Sequence, residues 1–174
     1  MKDNSMKAII AIVLTIIILV IAIIFANRNT NTEEEQKDYS YETESFKNVN
    51  LKQTIELFKR DEATFLFIGR QGCEGAHFQA PYIIYAQVYY TFEVYHLDIN
   101  DIDFENDPNV ELLKEKLDYP YELEGKKGTF GSFLGTTPMV VIIKNKKQVY
   151  GNIGVLTDEE IVNILKEYGV KTYE

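Results

Sequence analysis

The single cysteine of this chain, Cys73, directly follows the turn sequence Gly69-Arg70-Gln71-Gly72 and opens a helix-forming stretch. A thiol at a helix N-terminus meets unpaired backbone N–H groups and the positive end of the helix dipole. Both favour the thiolate, which is the nucleophilic form. His77 comes four residues later, one helical turn along the same side. Neutral, it can hydrogen-bond the thiol; protonated, it stabilises the thiolate. Cys73 is therefore the candidate catalytic residue, with Arg70 and His77 as candidate modulators. The plainer alternatives are a small buried hydrophobe for Cys73 and a solvated helix residue for His77.

Composition narrows the chemistry. The chain has 174 residues, a net charge of −9, one Cys, two His, no Trp and twelve Tyr. One cysteine excludes an internal disulfide and a thiolate zinc cluster. The acidic balance argues against nucleic acid as a partner, since phosphate binding needs a basic face. Carboxylate groups such as Glu33-Glu34-Glu35 and Asp101-Ile102-Asp103 match no calcium-loop spacing and read as solvated charge. Neither a metal nor a cofactor is expected.

The elements that must position Cys73 begin with an appendage. Ala8 to Ala26 is nineteen uncharged residues, apolar on every side, and as a helix spans roughly 28 Å. It reads as a transmembrane helix; a cleaved signal peptide, with its shorter apolar core, is the weaker alternative. Lys2 and Lys7 precede it, and Arg28 and then three glutamates follow. The basic side stays in the cytoplasm. The expectation is a single-pass protein of the cell membrane, with residues 1–7 cytoplasmic, 8–26 spanning, 27–48 a flexible stalk and 49–174 an extracytoplasmic domain. Residues 1–28 carry +2 and the remainder −11.

Within the domain, Asn50 caps a helix through Leu51, Ile55 and Phe58, and Thr64–Ile68 is a buried-strand pattern. A helical stretch from Cys73 to Tyr90 contains Pro81, and a strand covers Glu93–Ile99. Asp101 or Asp107 caps the next helix, through Val110, Leu113 and Leu117. Tyr119–Gly135 reads as loop. Met139–Ile143 and a strand through Val149 and Tyr150 form a hairpin. Thr157 and Glu160 make a capping box for a last helix that stops at Gly169. The first two strands should be parallel and the last two antiparallel, giving an α/β mixed sheet with flanking helices. Tyr82, Tyr85 and Tyr89 read as a half-buried helix face.

Several pieces resemble the thioredoxin-like superfamily. The segment Gly69-Arg-Gln-Gly-Cys73-Glu-Gly-Ala76 after a strand, with Pro81 eight residues beyond the cysteine, is similar to its active-site segment. Val94–Asn100 is similar to its next strand. Thr136-Thr137-Pro138 before Met139–Ile143 is similar to its cis-proline loop and following strand. Lys144–Lys147 and Gly151–Gly154 resemble its hairpin and glycine turn. The likeness covers residues 50–170, with extra length between about Phe104 and Gly135. The Phe67-Ile-Gly-Arg70 lead and the N-terminal anchor are most similar to membrane-anchored, thioredoxin-like bacteriocin accessory proteins of Gram-positive bacteria.

The resemblance implies that Cys73 is the reactive residue and that Thr137 and Pro138 hold an extended peptide or protein thiol substrate by strand addition. The sequence departs from the family where it matters. Ala76 stands where the family has its second cysteine, Gly72 replaces the usual Trp, and Thr64–Ile68 holds no buried acid. Without a second thiol the intramolecular release step is lost. Three outcomes stay open: a monothiol thiol-disulfide exchanger, a non-catalytic peptide- or partner-binding module of a secretion or immunity system, or an introduced alanine at position 76.

Overall fold

The computed structural model describes residues 43–172. Its elements are β1 (Lys47–Asn48), α1 (Leu51–Leu57), β2 (Thr64–Gly69), α2 (Glu74–Tyr89), β3 (Val94–Asp98), α3 (Pro108–Lys116), β4 (Pro120–Leu123), β5 (Lys126–Thr129), a 3₁₀ turn (Phe130–Phe133), β6 (Met139–Lys144), β7 (Lys147–Ile153) and α4 (Asp158–Tyr168). The membrane span expected at 8–26 lies outside the described residues. Among the described residues no helix is long and apolar enough to cross a membrane.

Five strands form one mixed sheet in the order β1-β3-β2-β6-β7. β3 runs parallel to β2, while β6 is antiparallel to both β2 and β7. The central strands are apolar at consecutive positions because both faces are covered. Phe65 and Phe67 of β2 face Ala76, Ala80, Ile83 and Ala86 of α2 and Ile161, Ile164 and Leu165 of α4. Leu66 and Ile68 point the other way, into a second core with Leu51 and Leu57 of α1 and Val110 and Leu113 of α3. The helix ends follow the sequence signals. Asn50 and Gln53 form a capping box, Asp107 caps α3, Thr157 and Glu160 form a second box, and Gly169 closes α4 at φ +67.

Two expectations need correction. Residues 119–135 are not simply loop: β4 and β5 pair as a separate antiparallel hairpin, followed by the 3₁₀ turn. Their turn is Glu124-Gly125 with φ 50 and 80, a geometry usually written with Asn-Gly or Asp-Gly. The insert is anchored by Tyr121, whose ring meets Phe130 edge-on at 5.1 Å and whose hydroxyl accepts from the Ile153 N–H at 3.0 Å. That bond occupies a donor on β7, an edge strand of the main sheet. The domain also begins earlier than residue 49. Phe46 is buried against Phe67, and Lys47 and Asn48 pair with Tyr95 and His96.

His96 ties this entry strand to the sheet. It is buried, stacks on Phe67 at 5.2 Å, and its Nδ1 lies 2.9 Å from Asn48 Oδ1. Burial pushes its pKa down to about 4 from the usual 6.5. The folded protein therefore holds it neutral where the unfolded chain takes up a proton. The stability it contributes is fully present above pH 6.5 and is lost as pH falls towards 4, roughly 3 kcal/mol in all. Urea unfolding from pH 7 to 4.5 should show this loss, and His96→Phe should flatten it. An unchanged pH slope in the variant would assign the acid sensitivity to other groups.

Candidate functional site

The sheet itself brings the candidate residues together. β2 and β6 are antiparallel neighbours with Ile68 opposite Met139, so the end of β2 and the start of β6 lie at the same edge. The chain leaving β2 turns through residues 70–72, with Gly72 at φ +76 and the Cys73 N–H donating to the Arg70 carbonyl at 3.3 Å. Cys73 is then the N-cap of α2. Across from it, the segment entering β6 turns at a cis Thr137–Pro138 bond, and the Gly154 N–H donates to the Pro138 carbonyl at 3.0 Å.

Cys73 Sγ lies 3.3 Å from the Thr137 carbonyl oxygen, to which the thiol donates. The sulfur is half-buried and makes no capping hydrogen bond to the first N–H groups of α2. The helix start thus supplies position, while the thiol's nearest polar partner is a carbonyl from the distant loop. The Thr137 hydroxyl is buried and has no hydrogen-bond partner among the described residues. Arg70 is exposed in the turn. His77 is half-buried one turn into α2, and its backbone N–H donates to the Cys73 carbonyl at 3.1 Å. Ala76 is fully buried beneath Cys73, in the core shared with α4.

Sequence reasoning missed Gly75. A Cβ built there would lie 2.8 Å from Pro138 Cδ and 3.9 Å from the Thr137 carbonyl oxygen. The glycine lets the first turn of α2 come close to the prolyl loop. Its signal was a glycine in the first turn of a helix, where the residue costs about 1 kcal/mol against alanine.

The strand order, the crossing from β2 through α2 to parallel β3, and a helix-opening cysteine against a cis-prolyl turn decide the architecture. The fold is thioredoxin-like. Solved structures with which the chain shares a likeness include Chlamydomonas reinhardtii thioredoxin f2 (13% identity, TM-score 0.48, covering 73% of this chain and 100% of that one). Thioredoxin from Aeropyrum pernix (15%, 0.47, 68% and 83%) and Plasmodium falciparum thioredoxin (15%, 0.47, 70% and 98%) are others. No family model and no curated protein matches the sequence. The assignment therefore rests on the chain's own topology.

A polar recess of about 440 Å³ opens beside the turn, lined in part by Asn48, Gln71, His96 and Asp98. Partial burial is the main cause raising the Asp98 carboxyl above its usual range, with the Asp101 charge adding to it. Among the described residues no group of three or more His, Cys, Asp or Glu is arranged to hold a metal.

Proposed function

We propose that the chain is a membrane-tethered, extracytoplasmic thioredoxin-like protein in which Cys73 is the sole nucleophile of thiol-disulfide exchange with extended peptides or proteins. The observation that carries this reading is the 3.3 Å contact between Cys73 Sγ and the Thr137 carbonyl. An extended segment that pairs its N–H with that carbonyl, as a strand adds to an edge, lays its own sulfur beside Cys73. Loss of the thiol proton frees the carbonyl for that N–H and generates the attacking thiolate in one event.

The exchange balances without a second protein thiol. Cys73 thiolate attacks one sulfur of a substrate disulfide, the S–S bond breaks, and the other half leaves as a thiolate that takes up a proton from solvent. A low-molecular-mass external thiolate then attacks the substrate sulfur of the mixed disulfide. That step returns Cys73 as thiolate and leaves the substrate disulfide-bonded to the external thiol. The tether and its orientation rest on the apolar run at 8–26 and its basic and acidic flanks. The Phe67–Arg70 lead and the anchor support the narrower likeness to bacteriocin accessory proteins of Gram-positive bacteria.

A second reading is favoured by Ala76, a buried alanine where release chemistry would need sulfur. Here the domain only binds a peptide or partner beside Thr137 and Pro138. Alkylation of the folded full chain by iodoacetamide over a pH series separates the two, and one cysteine makes the readout unambiguous. Exchange predicts modification of the native protein and a mass-detectable mixed disulfide with a peptide disulfide. A thiol inert until the protein unfolds would end the catalytic reading and leave the binding module.

A further inference from the structure

α2 is apolar on the side it buries and also on the side it does not. Ala76, Ala80, Ile83 and Ala86 face the core, yet Phe78, Tyr85, Val88 and Tyr89 are 57%, 59%, 73% and 73% exposed. The tyrosines expected to be half-buried thus point largely outward, with Tyr82 alone partly covered. Positions 78, 82, 85 and 89 share one stripe at helical spacing. Glu74 is the one formally charged residue in this sixteen-residue helix. At 150–250 Å² per aromatic side chain, the uncovered surface is roughly 500 Å², near the upper end for a monomer's largest patch.

We propose that this stripe is a membrane-contact surface, on which the tethered domain lies with α2 against the lipid headgroup boundary. The proposal rests on the reading of 8–26 as a membrane anchor. Tyrosine and phenylalanine on an otherwise uncharged helix face have the chemistry of interfacial belts, with the ring in the apolar edge and the hydroxyl in the headgroups. Sixteen residues separate Ala26 from the first described residue, Thr43. Even fully extended, that length of chain reaches no more than roughly 55 Å from the span. At that range a contact too weak to recruit a free protein is populated.

A second copy is the less favoured occupant. Two such stripes would bury roughly 1,000 Å² in total, against about 1,600 Å² for a standard interface. The outward part of each copy, residues 27–174, also carries −10 (16 basic and 26 acidic residues), which opposes pairing. Docking through α2 places Cys73, at the start of that helix, close to the membrane surface and selects substrates emerging from or lying on it.

The test uses the full chain in phosphatidylcholine vesicles, in a Cys73→Ser background, with a fluorophore on Tyr85→Cys or, as control, on Asn163→Cys, an exposed position of α4. A nitroxide-labelled phosphatidylcholine should quench the probe at 85 roughly threefold more than the control. Phe78→Ser with Tyr89→Ser should abolish the difference. Equal quenching at both positions in protein that floats with the vesicles overturns the proposal and leaves the anchor standing. Protein that fails to float overturns the anchor and the proposal with it. Concentration-dependent disulfide cross-linking of unlabelled Tyr85→Cys chains, without differential quenching, assigns the stripe to a second copy.

Discussion

Ala76→Cys is expected to convert a one-thiol exchanger into a reductant that releases its substrate unaided. Residues 73 and 76 are the N-cap and third residue of α2, and the Ala76 N–H donates to the Cys73 carbonyl at 2.9 Å. That bond closes a four-residue turn whose end Cα atoms lie within about 7 Å of each other, against the roughly 4.4–6.8 Å Cα separation that a disulfide spans. The introduced thiolate attacks Cys73 Sγ in the mixed disulfide, the substrate leaves as a thiolate, and a disulfide between Cys73 and the introduced sulfur remains. Two electrons pass from the protein dithiol to the substrate disulfide. A thiol one helical turn away acts at an effective concentration of millimolar or more. Against about 10 µM external thiol, release should quicken by on the order of 100-fold. Ala76 is fully buried, so the added sulfur costs about 1–2 kcal/mol in packing, which leaves a domain of ordinary stability folded. The measurement is the lifetime of the peptide adduct by mass spectrometry. An adduct equally long-lived in both proteins would mean that position 76 does not face the reacting sulfur.

Features with a local physical cause were legible in the sequence. Thr64–Ile68 and Met139–Ile143 are apolar at nearly every position because they become central strands covered on both faces. Asn50, Asp107, Thr157 and Gly169 announce helix ends because capping is satisfied within a few residues. The partnership of Cys73 with Thr137, 64 residues away, was reached through resemblance to a known fold, since no local pattern encodes a pairing between strands.

The missed features have local signals that are weak or ambiguous. β1 is two residues long and is held by Phe46 and His96, whose burial is decided by distant Phe67. The β4–β5 hairpin is two short strands whose residues show no buried alternation, and its turn begins with Glu rather than Asn or Asp. α2 is apolar around its circumference, so periodicity cannot say which side meets the core. At Cys73 the helix-terminus argument correctly placed the thiol at the N-cap. It did not foresee that the sulfur would rest on the Thr137 carbonyl rather than on the helix N–H groups.

Gly75→Ala should separate recognition from reactivity more sharply than any change at the cysteine itself. Two effects oppose each other. Alanine in a helix is worth about 1 kcal/mol over glycine, which stabilises α2. Its methyl, however, would sit 2.8 Å from Pro138 Cδ, closer than carbon atoms pack. The helix start and the prolyl loop must part by about 0.5–1 Å, and the clash and the propensity gain then largely cancel in stability. Thermal unfolding should shift by only a few degrees. Function does not share that cancellation. A displacement near 1 Å in a docking geometry costs on the order of 100-fold, so capture of an extended peptide disulfide should fall by about that factor. A small disulfide such as cystamine has no backbone to pair with the Thr137 carbonyl and should react at nearly the original rate. Retained peptide capture would remove the Thr137 loop from substrate recognition. An equal fall for both disulfides would show instead that the substitution disturbs Cys73 itself. The selective loss is the outcome that requires a thiol and a carbonyl, brought together by two antiparallel strands, to act on one extended chain.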